Sequence, residues 1–373
     1  MTMKSIKDFS VIGKRVLVRC DFNVPLDEKG NISDDFRIKQ ALPTIKYLID
    51  SKAKIILMSH LGEPGGKVVE ELKLDKIAEK IAEYVKFPIG KEDDCIGPDI
   101  EAESNKLDAG KILLLENLRF HKEETDNDQN FAKKLSYLGD IYVNDAFGVC
   151  HRDQASVTGV PQNLPSCAGL LLEKEIESLD RVMKYPEKPM VAIIGGAKVE
   201  TKSKFIDNIS QNADYVIISG LIAKEILSLT NFESWQEYLN YCEEVNSKLV
   251  RDEEKNIQLK YPEKIIVPSG DLGALDINDE SIKIFQEKIA TAKTILWNGP
   301  FGKFEDKKYA KGTLAIAKAI IDSKAFSVVG GGETVEFLNK QDMIDKFSHV
   351  STGGGAMLSY LSGEILPGIE ALE

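Results

Sequence analysis

Short runs of continuous apolar residues recur along the chain, at residues 16–20, 55–58, 112–115 and 141–143 in the first half. In the second half they fall at 191–194, 215–218, 265–267, 294–297 and 326–329. Unbroken Val, Ile and Leu runs, as opposed to alternating ones, predict strands covered on both faces, as in a parallel sheet wrapped by helices. Between them lie amphipathic segments such as 74–85 and 173–183. Strand–helix alternation through both halves predicts an α/β protein of two doubly wound, Rossmann-like parallel-sheet domains.

The junction is expected within residues 167–189. Leu170, Leu171, Leu172, Ile176 and Leu179 fall close to one helical face, and Pro186 and Pro189 punctuate its end. This predicts domains joined by a helix and hinge: a first domain at 1–170, a connecting helix and linker at 171–189, and a second domain at 190–360. A length of 373 residues agrees with two domains, because one hydrophobic core stops growing below that size.

Composition narrows the classes of partner. A net charge of −12 argues against nucleic-acid binding, which needs excess Lys and Arg. It leaves small anionic substrates open, since these feel the local field of a cleft. The five cysteines are odd in number and scattered, without a C-x-x-C pair, which predicts reduced thiols in the cytoplasm and no metal site built from them. No stretch approaches ~18 apolar residues, so neither secretion nor a membrane partner is expected. Nothing indicates association, and a monomer is the default.

In open parallel sheets, ligands collect outside the carboxyl ends of strands. In the first half those ends carry Asp21 and Asn23, then Ser59 and His60, then Glu116, Asn117, Arg119 and His121, then Asn144 and Asp145, with His151 and Arg152 shortly after. Of seven arginines in the chain, Arg37, Arg119 and Arg152 fall in or just beyond these loops. A single arginine after a strand is more often a surface ion pair, and Asp21 or Asn23 could merely cap a turn. Four strand ends with the same polar chemistry instead describe an anion pocket, because the guanidinium fork bonds two oxygens at once.

The second half is glycine-rich at its strand ends: Gly195-Gly196-Ala197-Lys198, Asn298-Gly299-Pro300, Gly330-Gly331-Gly332-Glu333-Thr334 and Thr352-Gly353-Gly354-Gly355. Glycine lets backbone N–H groups approach phosphate oxygens, and a following helix adds its positive end. Lys198 and Lys202 lie four apart, on one face if a helix begins near Lys198. Their ammonium groups would neutralise a transferring phosphoryl group. Neither G-x-x-x-x-G-K-[ST] nor an early G-x-G-x-x-G is present, so a P-loop enzyme and a plain dinucleotide dehydrogenase both lose ground.

From Val16 to Leu372 the residues resemble phosphoglycerate kinases. The resemblance rests on RCDFNVP at 19–25, LLENLRFH at 114–121, YVNDAFG at 142–148, GGAKV at 195–199, WNGP at 297–300, VGGG at 329–332 and SHVSTGGGA at 348–356. It implies reversible phosphoryl transfer between 1,3-bisphosphoglycerate with ADP and 3-phosphoglycerate with ATP, in glycolysis and gluconeogenesis. Asp21, Asn23, Arg37, His60, Arg119 and Arg152 would hold the phosphoglycerate. Gly196, Ala197, Lys198, Lys202, Pro300, Glu305, Gly332, Glu333 and Thr334 would hold the nucleotide, Glu305 at the ribose and Glu333 beside its Mg²⁺. Arg37, Lys198, Gly354 and Gly355 would act in catalysis, which follows hinge closure with in-line transfer. The C-terminal segment, residues 361–373, would return to complete the first domain.

The chain departs from the family at several places. Glu63 stands where Arg is usual, Gln154 where a second His is usual, and Glu333 where Asp is usual. Ser219-Gly220 and residues 221–227 also differ from the family's pattern beside the base. Glu63, Glu333 and the altered segment 219–227 are the only support for the alternative of a non-catalytic nucleotide-binding regulator or scaffold, which would bind nucleotide without turnover.

Overall fold

The computed structural model describes residues 3–196, 202–247 and 259–373. It divides into two compact units, Met1–Ile176 with Ile365–Glu373, and Glu177–Glu364. The division falls inside one helix, Leu170–Met183.

The first unit holds six strands: β1 (Arg15–Cys20), β2 (Lys54–Met58), β3 (Gly90–Lys91), β4 (Ile112–Leu114), β5 (Ile141–Asp145) and β6 (Ser166–Ala168). They form one sheet in the order β3-β4-β2-β1-β5-β6, every pairing parallel. The second unit repeats the scheme with β7 (Met190–Ile194), β8 (Tyr215–Ile218), β9 (Ile265–Ile266), β10 (Thr294–Asn298), β11 (Phe326–Gly330) and β12 (His349–Val350). Their order is β12-β11-β10-β7-β8-β9, again all parallel.

Nine of these strands are the apolar runs read from the sequence, displaced by a residue or two. The other three, β3 (GK), β6 (SCA) and β12 (HV), contain no Val, Ile or Leu run to mark them. Central strands such as β5, β7 and β10 are buried at every residue, as expected where helices cover both faces. The amphipathic segments appear as helices Asp75–Val85 and Leu170–Met183. The first buries Ile77, Ala78 and Ile81, one apolar stripe against the sheet core that includes Val16, Val18, Ile55 and Leu57.

Sheet order fixes which loops share an edge. β1 is central, flanked by β2 and β5, so the loops after these three strands and after β4 open at the same carboxyl end. In the second unit β7 and β10 pair with Ile194 opposite Asn298, which brings the Gly195 and Gly299 turns together.

The last residue of β5 ties the connecting helix to the sheet. Asp145 Oδ1 accepts from the Leu171 and Leu172 backbone N–H groups at 2.9 and 3.3 Å, at the positive end of helix Leu170–Met183. Burial pushes its carboxyl up to about 7, against the hydrogen bonds that favour the ionised form. The folded chain therefore holds a proton that the unfolded chain releases near pH 4, and stability attributable to this group falls as pH rises from there to about 7. Asp145→Asn keeps the acceptor oxygen and removes the titration. Relative to the native chain, its urea midpoint is expected to be higher at pH 8 than at pH 5; an equal offset at both would show that Asp145 is ionised throughout.

Candidate active site

At the first sheet's carboxyl edge the side chains converge on His60, which is buried directly after β2. Arg19 Nη2 lies 3.2 Å from His60 Nδ1. A guanidinium has donors only, so Nδ1 must accept and the ring proton sits on Nε2. Burial, reinforced by Arg19, Arg119, Arg37 and Arg152, holds the imidazole well below its usual pKa. His60 is therefore a neutral donor surrounded by cations.

The loops around it are cross-tied. Asn23 Oδ1 accepts from Gly62 N at 2.9 Å, and Ser59 Oγ accepts from Phe22 N at 2.8 Å, joining the β1 and β2 loops. Asn117 accepts from Leu61 N and donates to Leu61 O and Leu72 O, joining the β4 loop to the β2 loop. Arg37 Nη1 donates to Asp21 Oδ2 at 2.8 Å and to Asn23 O at 3.2 Å. Arg119 Nη1 donates to Gly62 O at 2.9 Å and to Glu63 Oε1 at 2.7 Å, and Arg152 Nη1 lies 3.5 Å from the same oxygen. Burial brings the Arg119 pKa down to about 10, still charged at neutral pH. Its Nε and Nη2 are buried without a partner. Two orphan charged donors beside further arginines form a seat for an oxyanion.

All six residues expected at an anion pocket are thus brought to one edge. The sequence did not single out the network behind them. Arg19 Nε donates to Ser156 Oγ at 2.8 Å, and Glu124 Oε1 lies 3.9 Å from Arg19 Nη2. Glu124 in turn accepts from Ser156 N at 2.9 Å and from Ser156 Oγ at 2.5 Å. Arg19 lies in the quoted RCDFNVP run, but Glu124 and Ser156 carry no motif and are visible only in three dimensions. His121, also at a strand end, pairs instead with Asp94, its Nε2 2.7 Å from Oδ1.

In the second unit a cavity of about 490 Å³ is lined by Gly196, Pro300, Glu305 and Glu333 together with Leu221, Leu272, Leu275, Ile277 and Phe304. Gly196, Pro300, Glu305 and Glu333 are four of the nine residues expected at the nucleotide; Lys202, Gly332 and Thr334 do not line the cavity. Its apolar wall comes from residues 268–278, which no glycine motif marks. Glycine is required where two turns meet: a Cβ on Gly195 would lie 2.2 Å from Pro300 O, and Gly299 has φ +94° with its own Cβ 2.4 Å from Gly195 O. Thr334 fixes that turn by accepting from Gly299 N at 2.9 Å.

Two helices begin beside each other here, Gly332–Lys340 and Gly354–Leu361, with the Cβ position of Gly354 3.5 Å from Gly332 N. Their unpaired N–H groups make a positive rim of the kind that suits phosphate. Gly355 follows in the same first turn. Lys202 is buried, donates to Gly195 O, and is lowered by burial to about 8, with Glu333 opposing that shift. It caps the helix Ser203–Asn212. Ala197 and Lys198 lie outside the described residues, so the shared helical face expected for Lys198 and Lys202 is not described either.

One unit whose strand ends gather arginines and another with a glycine-rimmed cavity and helix starts define an α/β phosphotransferase of two parallel-sheet domains. The family model for phosphoglycerate kinase matches residues 6–364. The phosphoglycerate kinases of Borrelia garinii subsp. bavariensis and Moorella thermoacetica are each 43% identical over all of this chain and 100% and 99% of their own. Two solved structures are similar. That of phosphoglycerate kinase from Coxiella burnetii has a TM-score of 0.81 at 34% identity, covering 100% of this chain and 99% of its own. That from Pyrococcus horikoshii has 0.84 at 32%, covering 99% and 98%. The chain belongs to the phosphoglycerate kinase family.

The electrostatics of His60 make a prediction. Its neutral form persists below the usual imidazole range, so folding loses stability as pH falls below about 6.5, where the unfolded histidine charges first. Its ring carbon resonance in NMR is expected to stay at the neutral, Nε2–H position from pH 8 down to pH 6. A titration midpoint at or above 6.5 would show that the surrounding cations do not act on it.

Proposed function

We propose that Asp21, Asn23, Arg37, His60, Arg119 and Arg152 hold phosphoglycerate, and that the cavity of the second unit holds the nucleotide. The arginine cluster with two unpartnered Arg119 donors is the observation that carries this reading. Gly196, Ala197, Pro300 and Glu305 would border the nucleoside, and Gly332, Thr334, Lys198 and Lys202 its phosphates. The Glu333 carboxylate lines the cavity and offers the hard oxygen donor that Mg²⁺ prefers, so it would hold the nucleotide's Mg²⁺. When bound, that ion neutralises phosphate charge.

In the ATP-forming direction an oxygen of the ADP β-phosphate attacks the acyl phosphorus of 1,3-bisphosphoglycerate. The bond from phosphorus to the carboxyl oxygen breaks, and 3-phosphoglycerate leaves as a carboxylate that needs no proton. No general base is required, in keeping with a neutral, buried His60. Catalysis then rests on alignment and charge neutralisation by Arg37, Lys198 and the Gly354–Gly355 amides, after closure of the units brings the phosphates in line and excludes water. The work is done in the cytoplasm by a monomer. The five cysteines are buried and free, and among the described residues no helix is long and apolar enough to cross a membrane.

ADP formation from ATP and Mg²⁺ is expected to require 3-phosphoglycerate and to fall by about 10²-fold or more in Arg37→Ala. Turnover indifferent to 3-phosphoglycerate would refute the substrate assignment, and nucleotide binding without any turnover would turn the reading toward a regulator. Lys198→Ala should lower kcat by ~10²-fold, equivalent to roughly 3 kcal/mol. A near-normal kcat would remove Lys198 from the chemistry.

A further inference from the structure

The four arginines of the first unit's cluster are served by three carboxylates, which differ in freedom. Glu124, which serves Arg19, is fully buried and held by both the N–H and the hydroxyl of Ser156. Asp21, which serves Arg37, is 4% exposed in its side chain. Glu63 is 69% exposed, yet a single oxygen reaches both Arg119 and Arg152. The Glu63 backbone is anchored from the preceding residue, where Gly62 N donates to Asn23 and Gly62 O accepts from Arg119. The side chain can therefore leave while the loop stays.

We propose that Glu63 is an internal counter-anion, whose carboxylate occupies the position on Arg119 and Arg152 that an acidic group of the substrate takes, and which swings into solvent at each binding event. The proposal rests on the reading of Arg119 and Arg152 as phosphoglycerate ligands. Without a counter-anion, two adjacent guanidinium groups repel and attract any small anion. A tethered carboxylate competes at high local concentration against chloride or simple carboxylates, and yields to a phosphate dianion that also satisfies the free Nε and Nη2 of Arg119. The exchange uses part of the substrate's binding energy, so Glu63 raises KM and sharpens selection for doubly charged anions.

The test measures KM for 3-phosphoglycerate, at saturating ATP and Mg²⁺, in the native chain and in Glu63→Gln and Glu63→Asp. Glu63→Gln is expected to lower KM about three- to tenfold, as for release of one partly exposed ion pair, without moving KM for ATP. It should also steepen the rise of KM with salt, because substrate then displaces no protein anion, while Glu63→Asp stays near the native value. An unchanged or higher KM in Glu63→Gln would overturn the proposal and make Glu63 a residue that positions the arginines. Calorimetric binding of inorganic phosphate to the native chain and Glu63→Gln separates the two readings. Absence of 3-phosphoglycerate-dependent turnover would sink the functional assignment alone, and tighter phosphate binding by Glu63→Gln would still uphold the counter-anion. Equal phosphate binding would reject it.

Discussion

The first unit depends on solving one electrostatic problem, the accumulation of Arg19, Arg37, Arg119 and Arg152 around a buried histidine. Like charges at this density destabilise a fold unless each is matched. The solution is graded. The innermost guanidinium, Arg19, is matched by a buried carboxylate and a serine, and it holds His60 in the tautomer that can donate. Arg37, partly exposed, leans on Asp21. Arg119, itself buried, and the more exposed Arg152 share an exposed glutamate, and two charged donors of Arg119 stay unmatched.

The second unit meets a different constraint. Its turns cross so closely that side chains must be absent where they meet. The 2.2 Å that a Cβ on Gly195 would leave to Pro300 O, and the positive φ of Gly299 and Gly331, make three of these glycines obligatory on steric grounds alone. Buried Lys202 adds charge at a cost that lowers its pKa, and an anion bound nearby would reverse that cost.

Much of this was legible in the sequence, for identifiable reasons. Buried parallel strands are apolar along most of their length, so nine of the twelve described strands announced themselves, whereas β3, β6 and β12 read GK, SCA and HV and carry no apolar run. Arg37, His60, Arg119 and Arg152 could be grouped because strand ends of one parallel sheet share an edge. The Glu124–Ser156 support could not, since it joins residues 32 positions apart through two buried hydrogen bonds that no motif marks. The apolar wall of the cavity was equally hidden, because Leu272, Leu275 and Ile277 lie in a connecting loop without periodicity. Glu63 was visible as a departure, but its bridging position depends on the Gly62 turn, which only the fold reveals.

The central claim is that the unmatched Arg119 donors are the seat of the substrate's anionic group. The most direct measurement follows the Arg119 Nε–H resonance by nitrogen–proton correlation NMR while 3-phosphoglycerate is added to the full chain. A downfield shift of that proton with slowed exchange, absent when chloride replaces the substrate at equal ionic strength, is the predicted result. An Arg119 Nε–H signal that stays unmoved at saturating 3-phosphoglycerate would contradict the account.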